Sequence, residues 1–366
     1  MLDNLCPEYN IYNKPYFDDC FIFNHTHQGN YILKLIQLAK SMEATDIHIV
    51  TDGKIYFRIN GFMIVQEAQH SISLDKLRED LNELIPEGFD SSFYDKDKEV
   101  DFSLAVKINN EYIYLRGNIF KIASNSADCF SLAMRLLPSK IPTIEELNLP
   151  RVIKGFVNHK YGLVLISGAT GHGKTTTLAS LIELINNEYN YNIITIEDPI
   201  EYRFSSNKSC ILQRQVGIDT ENFNSGLRAA LREDPDVIVL GELRDAETIR
   251  TALWAAESGH LVLATIHAGN ATETVDKIVQ YFPHEQEVIR YSLANSLRGI
   301  ISQRLYPSKN QRKHRICVCD VLLATNAVKM HIKNNDFPGL RMDMQLSQGM
   351  ILMSDMLQEY KDRNLI

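Results

Sequence analysis

Leu163-Val-Leu-Ile-Ser167 runs into Gly168-Ala-Thr-Gly-His-Gly-Lys-Thr175 and then into Thr176-Thr-Leu-Ala-Ser-Leu-Ile-Glu-Leu-Ile185. An apolar strand thus feeds a glycine-rich turn that fits GxxxxGK[ST], and Leu178, Leu181, Ile182 and Ile185 fall on one face of the helix that follows. The spacing has a chemical reason. Gly168, Gly171 and Gly173 let successive N–H groups across Ala169, Thr170 and His172 face a phosphate chain, and the helix start through Thr176 adds favourable partial charge. Lys174 is placed to reach the β- and γ-phosphates and Thr175 to ligate magnesium. A chance glycine turn would lack both the strand before and the helix after.

Around this stretch the pattern alternates. Strands are expected at 163–167, 193–197, 237–240 and 261–266, with helices at 175–187, near 223–231, at 245–257 and at 272–282. Strands apolar throughout and separated by helices predict a mainly parallel sheet covered on both faces, an α/β fold. From about Glu285 the chain reads as mostly helical, with one strand-like run at 316–323. Upstream, Ile32, Leu35, Ile36, Ala39 and Met42 recur at helical spacing. Strand-like runs follow from Asp46 to Val50, Lys54 to Ile59 and Phe62 to Val65, the last two joined at Asn60-Gly61. A helix on Leu74, Leu77, Leu81, Leu84 and Ile85 closes at Pro86. Asp101 to Ile108 and Glu111 to Phe120 meet at Asn109-Asn110, and a last run covers Cys129 to Leu137. This is a small α+β domain built on an antiparallel sheet. Pro138, Pro142 and Pro150 mark a linker over 138–150, so the expected organisation is an extension (1–28), a first domain (29–137), the linker, and the phosphate-loop domain (151–366).

A chain of 366 residues suits two domains, and 45% hydrophobic with 23% charged residues describes a water-soluble protein. No apolar run is long enough to cross a bilayer, and Met1-Leu-Asp-Asn-Leu-Cys6 lacks the features of a signal peptide, so a cytoplasmic location is expected. The net charge of −8, with no basic stripe, argues against nucleic acid as the main partner. Six scattered cysteines read as reduced thiols, and Cys317 and Cys319 fall on one face of a strand as packed side chains.

A phosphate loop needs an acid for magnesium and a group that positions water. Val237-Ile-Val-Leu-Gly-Glu242 is an apolar strand that ends in a carboxylate suited to the metal. Ile193-Ile-Thr-Ile-Glu-Asp-Pro-Ile-Glu201 ends in Glu197, Asp198 and Glu201, one of which is placed to polarise water. Gly259-His-Leu-Val-Leu-Ala-Thr-Ile-His267 carries a histidine at each end, and His267 falls where ligands bind in open α/β sheets, next to a γ-phosphate.

These four segments in this order, with Leu231-Arg-Glu-Asp-Pro-Asp-Val-Ile-Val-Leu-Gly-Glu-Leu-Arg-Asp245 as the third, resemble the secretion ATPase superfamily over about residues 30–335. The likeness is greatest to its PilT-type branch, the retraction motors of type IV pili. It implies a PAS-like N-terminal domain, a RecA-like ATPase domain, ATP and Mg2+ as ligands, and a homohexamer at the cytoplasmic face of the inner membrane, working on a pilus platform protein. By position it makes Glu201 the catalytic glutamate, Glu242 the Walker B acid, and His260 and His267 the histidine pair. Arg116 in Tyr114-Leu-Arg-Gly-Asn-Ile-Phe120 and Arg135 in Ala133-Met-Arg-Leu-Leu-Pro-Ser-Lys140 become phosphate-facing arginines. His172 stands where the family often has Ser, which a loop working through its backbone should tolerate. Ala327-Val-Lys-Met-His-Ile-Lys333 matches the family's C-terminal motif only loosely, and the stretch 1–28 is unusual. The competing readings are the assembly and secretion branch, whose polymerising and type II secretion members carry a tetracysteine zinc module, a PilT-like ATPase of a type IVB secretion system, a RecA-like DNA motor and a non-hydrolysing nucleotide sensor.

Overall fold

The computed structural model describes residues 29–59, 61–66, 71–84, 99–108, 111–123, 129–138, 140–309 and 315–366. The expected extension, the turn residue Asn60, the Ile85–Pro86 helix end, the Asn109-Asn110 turn, Cys6 and Cys20 lie outside them. The chain divides into two units, one up to Ser139 and one from Lys140.

In the smaller unit α1 (Tyr31–Ser41) is followed by β1 (Asp46–Val50), β2 (Ile55–Ile59), β3 (Phe62–Gln66), α2 (Leu74–Leu84), β4 (Glu99–Ile108), β5 (Glu111–Ile122) and β6 (Cys129–Leu136). The strands form one antiparallel sheet in the order β3-β2-β1-β6-β5-β4. Ile32, Leu35 and Ile36 of α1 and Leu77 and Leu81 of α2 pack into one core with Ile47, Ile49, Phe57, Ile119, Phe130 and Leu132. The two helices are tied by charge as well as by packing. Asp80 of α2 is buried, and its Oδ2 accepts the Tyr31 and Ile32 N–H groups at 2.7 and 3.3 Å, so a carboxylate sits at the positive end of α1. Gly117 of β5 lies opposite Phe102, whose ring covers it so closely that a Cβ would fall 2.1 Å from Cζ.

The larger unit contains a 3₁₀ helix (Arg151–Asn158), β7 (Gly162–Ser167), α3 (Lys174–Glu188), β8 (Asn192–Glu197), β9 (Cys210–Gln215), α4 (Phe223–Ala230), β10 (Val237–Leu240), α5 (Ala246–Glu257), β11 (Leu261–Ile266), α6 (Ala271–Gln280) and α7 (Gln286–Ser296). It ends in β12 (Leu297–Pro307), β13 (Arg315–Leu323), α8 (Asn326–Lys333), α9 (Phe337–Leu346) and α10 (Met353–Asp362). The sheet order is β13-β12-β7-β11-β10-β8-β9, parallel except for the β12–β13 pair. Every residue of β7, β10 and β11 is buried, which is why these strands read as unbroken apolar runs.

Three segments depart from the sequence reading. β12, expected within a helical stretch, is an eleven-residue strand inserted beside β7. Its apolar centre is short, and Gly299 is required because the Phe156 ring would lie 2.0 Å from a Cβ there. β9 is an edge strand of mixed polarity that carried no clear period. Within the stretch expected as a linker, Ile144 and Leu149 are buried in the core of the larger unit, so chain beyond Lys140 folds as part of that unit.

Candidate active site

The phosphate loop leaves β7 at the C-terminal edge of the parallel sheet, where successive strands open a crevice. Gly168 has φ +152° and lies against the Gln303 carbonyl oxygen, which a Cβ would approach to 2.5 Å. Gly171 and Gly173 have φ +77° and +82°, the left-handed region that glycine enters without strain. Gly173 is the N-cap of α3 and no side chain caps that turn, so the first N–H groups of the helix stay available to an anion. Thr175 and Thr176 follow at half-buried positions, and the Thr176 hydroxyl lies 3.0 Å from the Tyr202 phenol.

Lys174 is buried at the centre of the site. Its ammonium donates to the carbonyls of Gly168 (2.9 Å) and Ala169 (3.2 Å) and stands 3.4 Å from His267 Nδ1. Burial lowers its affinity for a proton, and the carboxylates of Glu242 and Glu201 oppose that effect. On its other ring nitrogen His267 meets Glu242, Nε2 to Oε1 at 2.9 Å. Since Nδ1 faces an ammonium donor, it must accept, and the ring proton belongs on Nε2, donated to Glu242. Burial and then the neighbouring Lys174 push the His267 pKa below its ordinary value, against the pull of Glu242. The second Glu242 oxygen accepts from Arg244 Nε at 2.9 Å, and Arg244 Nη1 reaches Asp198 at 2.9 Å. A relay of alternating donors and acceptors therefore runs Lys174–His267–Glu242–Arg244–Asp198.

The three acids at the end of β8 and just beyond it, Glu197, Asp198 and Glu201, are separated by their surroundings. Glu197 is buried and accepts from Thr195 Oγ1 (2.7 Å) and Gln213 Nε2 (3.1 Å), while burial raises its pKa. Asp198 is held by Arg244. Glu201 is half-buried, and its charge acts on Lys174.

The loop from Gly168 to Thr176, Glu201, Glu242 and His267 thus gather at one edge of the sheet. His260 does not. It precedes β11 at the opposite end of the strand, with Nδ1 3.1 Å from the Ala255 carbonyl and 3.3 Å from Ser258 Oγ. A six-residue strand, about 20 Å long, separates it from the loop. The nucleotide contact expected of His260 is corrected for its own chain's site.

Arg116 and Arg135 lie in the smaller unit and are direct cross-strand partners on β5 and β6. The same register line continues from Arg135 to Asp46 on β1 and from Asp46 to Arg58 on β2. Arg135 Nε is 2.8 Å from Asp46 Oδ1, and Arg58 Nε is 3.8 Å from Oδ2. Arg116, Arg135, Asp46 and Arg58 thus share one register line across four strands and one face of the sheet.

Sequence reasoning did not single out Arg244, Tyr202, Gln303 or Arg315. Arg244 was within reach of it, two residues after Glu242 in the quoted segment. Gln303 was not, because β12 falls in a stretch that reads as helical, and Arg315 was not, because its bond to the Gly171 carbonyl depends on where β13 packs.

These features define a P-loop nucleotide-binding domain with a second-strand acid and a histidine facing the phosphate lysine. Residues 26–339 match the model of the family described as type II/IV secretion system protein, and the chain belongs to that family, as a member of its PilT-type secretion ATPases. It is 38% identical to the uncharacterized protein YggR of Escherichia coli over 90% of this chain and 97% of that protein. It is 37% identical to the type IV pilus retraction ATPase PilT of Pseudomonas aeruginosa over 83% and 86% of the two chains. A crystal structure of the pilus retraction motor PilT with bound ADP superposes with a TM-score of 0.82 and 37% identity, covering 92% of this chain and 94% of that one.

Proposed function

We propose that this ATPase is a homohexameric motor that drives retraction of a type IV pilus from the cytoplasmic face of the inner membrane, engaging a platform protein there. The observation that carries the reading is the 37% identity to a pilus retraction ATPase across most of both chains, with the phosphate loop, Glu201, Glu242 and His267 gathered in one cleft.

The residues fit ATP with Mg2+. Glycines held at positive φ present loop N–H groups to the phosphates. Thr175 and Glu242 would hold the magnesium, which supplies charge neutralisation at the phosphates. Lys174 balances negative charge on the β- and γ-phosphates. Glu201 orients the attacking water, His267 contacts the γ-phosphate while it holds the Glu242 carboxylate, and Arg244 fixes that carboxylate from the other side. By their position in the family's motifs, Arg116 and Arg135 are the guanidinium groups proposed to face the phosphates.

Cys317 and Cys319 are buried on β13, and among the described residues no cluster of three or more His, Cys, Asp or Glu forms a metal cage. This disfavours the assembly and secretion branch with its zinc module. Deleting the gene should leave cells piliated but unable to twitch, scored by electron microscopy and a motility assay. Loss of pili altogether would point to assembly, and turnover stimulated by DNA to a nucleic-acid motor.

A further inference from the structure

β12 outruns β7. Leu297 to Ser302 pair with β7 up to Ser167, but β12 continues to Pro307 with only β13 beside it. Along this overrun the edge turned away from β13 is met by the phosphate loop. Gln303 Nε2 donates to the His172 carbonyl at 2.7 Å, and the Leu305 N–H donates to His172 Nδ1 at 2.9 Å. Gly168 presses on the Gln303 carbonyl, and Arg315 of β13 donates to the Gly171 carbonyl at 3.0 Å. Leu305 lies opposite Cys317 in the ladder, yet its N–H points the other way, into the loop. A part-buried strand N–H without an acceptor is unfavourable, and here the imidazole takes the place that a carbonyl of a further strand would hold.

We infer that His172 is a positioning residue for the phosphates: its Nδ1 latches the loop to the overrunning edge of β12 and so aligns the loop N–H groups with the nucleotide. The chemistry demands a neutral ring with the proton on Nε2, because Nδ1 accepts. The charged groups that face the ring are Arg304 of β12, Arg315 of β13 and Lys174 of α3, and with burial they hold its pKa below the ordinary histidine value. The latch is therefore closed at neutral pH. A serine at this position has a shorter reach, so the exchange of Ser for His bears on the loop through a side chain as well as through its backbone. The inference rests on nucleotide binding at this loop and is independent of what the motor moves.

The test compares His172→Asn, which keeps an acceptor at similar reach, with His172→Phe, which keeps a ring and removes the acceptor. In the full-length protein, affinity for a fluorescent ADP, unfolding temperature without nucleotide and amide exchange at Leu305 are measured. His172→Phe is expected to lose about tenfold in ADP affinity and to expose the Leu305 amide, as removal of a part-buried acceptor implies, with His172→Asn within about threefold of wild type. Wild-type affinity in His172→Phe, or equal losses in both variants, overturns the latch. Should His172→Phe not fold, His172→Ala serves, and unchanged protection at Leu305 overturns the inference. Lys174→Ala separates the two levels: if it binds ADP as wild type does, nucleotide is not held by this loop and both readings fall.

Discussion

His267 Nε2 lies 2.9 Å from Glu242 Oε1, and the opposite ring nitrogen faces the Lys174 ammonium at 3.4 Å. One neutral imidazole thereby joins the lysine proposed to neutralise phosphate to the acid proposed for magnesium. Protonation of Nδ1 would set two cations against each other across that gap.

The pH dependence follows from this. The His267 pKa is lowered in the folded protein, so its contribution to stability is fully present above the unfolded histidine value and is lost as pH falls through the folded one. ATP turnover should hold steady from neutral pH down through the ordinary histidine range and fall only below it. In His267→Gln, which can both accept and donate, that acid limb should flatten and turnover should drop about tenfold or more. A wild-type acid limb centred above pH 6.5, the reference histidine value, would count against the assignment.

Glu201→Gln should bind ATP with near wild-type affinity and lose about a hundredfold or more in turnover, the range expected when a water-orienting base is removed. Glu197→Gln should keep most activity, because Glu197 is buried and its bonds go to Thr195 and Gln213. Separate measurements of affinity and turnover decide between them. Inactive Glu197→Gln beside active Glu201→Gln would exchange their roles.

Gly168→Ala combines a φ of +152° with a 2.5 Å approach to the Gln303 carbonyl. The backbone strain alone costs about 1–3 kcal/mol, so nucleotide binding should be lost and thermal stability reduced. Gly171→Ala meets open space and should be the milder change, its strain confined to φ. Binding of ADP and unfolding temperature for the pair check the ordering.

Arg135→Ala should cost about 1–3 kcal/mol of stability, because the arginine side chain is 65% exposed but its partner Asp46 is only 9% exposed and would keep only Thr45 and the more distant Arg58. Its effect should appear in turnover. If the arginine serves a neighbour's nucleotide in a ring, an equal mixture of Arg135→Ala and Glu201→Gln subunits should rebuild intact sites at about a quarter of interfaces. Wild type mixed with the double mutant measures poisoning by inactive subunits. Activity in that control with none in the complementary mixture would rule the arrangement out.

The sequence by itself determined the α/β core and the phosphate loop. The strands 163–167, 237–240 and 261–266 are buried on both faces and so spell out as apolar runs, while GxxxxGK[ST] encodes a backbone conformation in residue types. The acids at the C-terminal end of β8 were also legible as a group, since a carboxylate at the end of an apolar strand stands out. Only the tertiary structure decided among them, because burial beside Thr195 and Gln213, or pairing with Arg244, depends on chain far away in sequence. It likewise separated His267 from His260, which look alike at the two ends of one strand but lie at opposite edges of the sheet. The cross-strand pairing of Arg116 with Arg135 and the hold of β12 on His172 were invisible for the same reason. Strand register and the approach of β12 to the loop are long-range packing outcomes, and local periodicity carries no record of them.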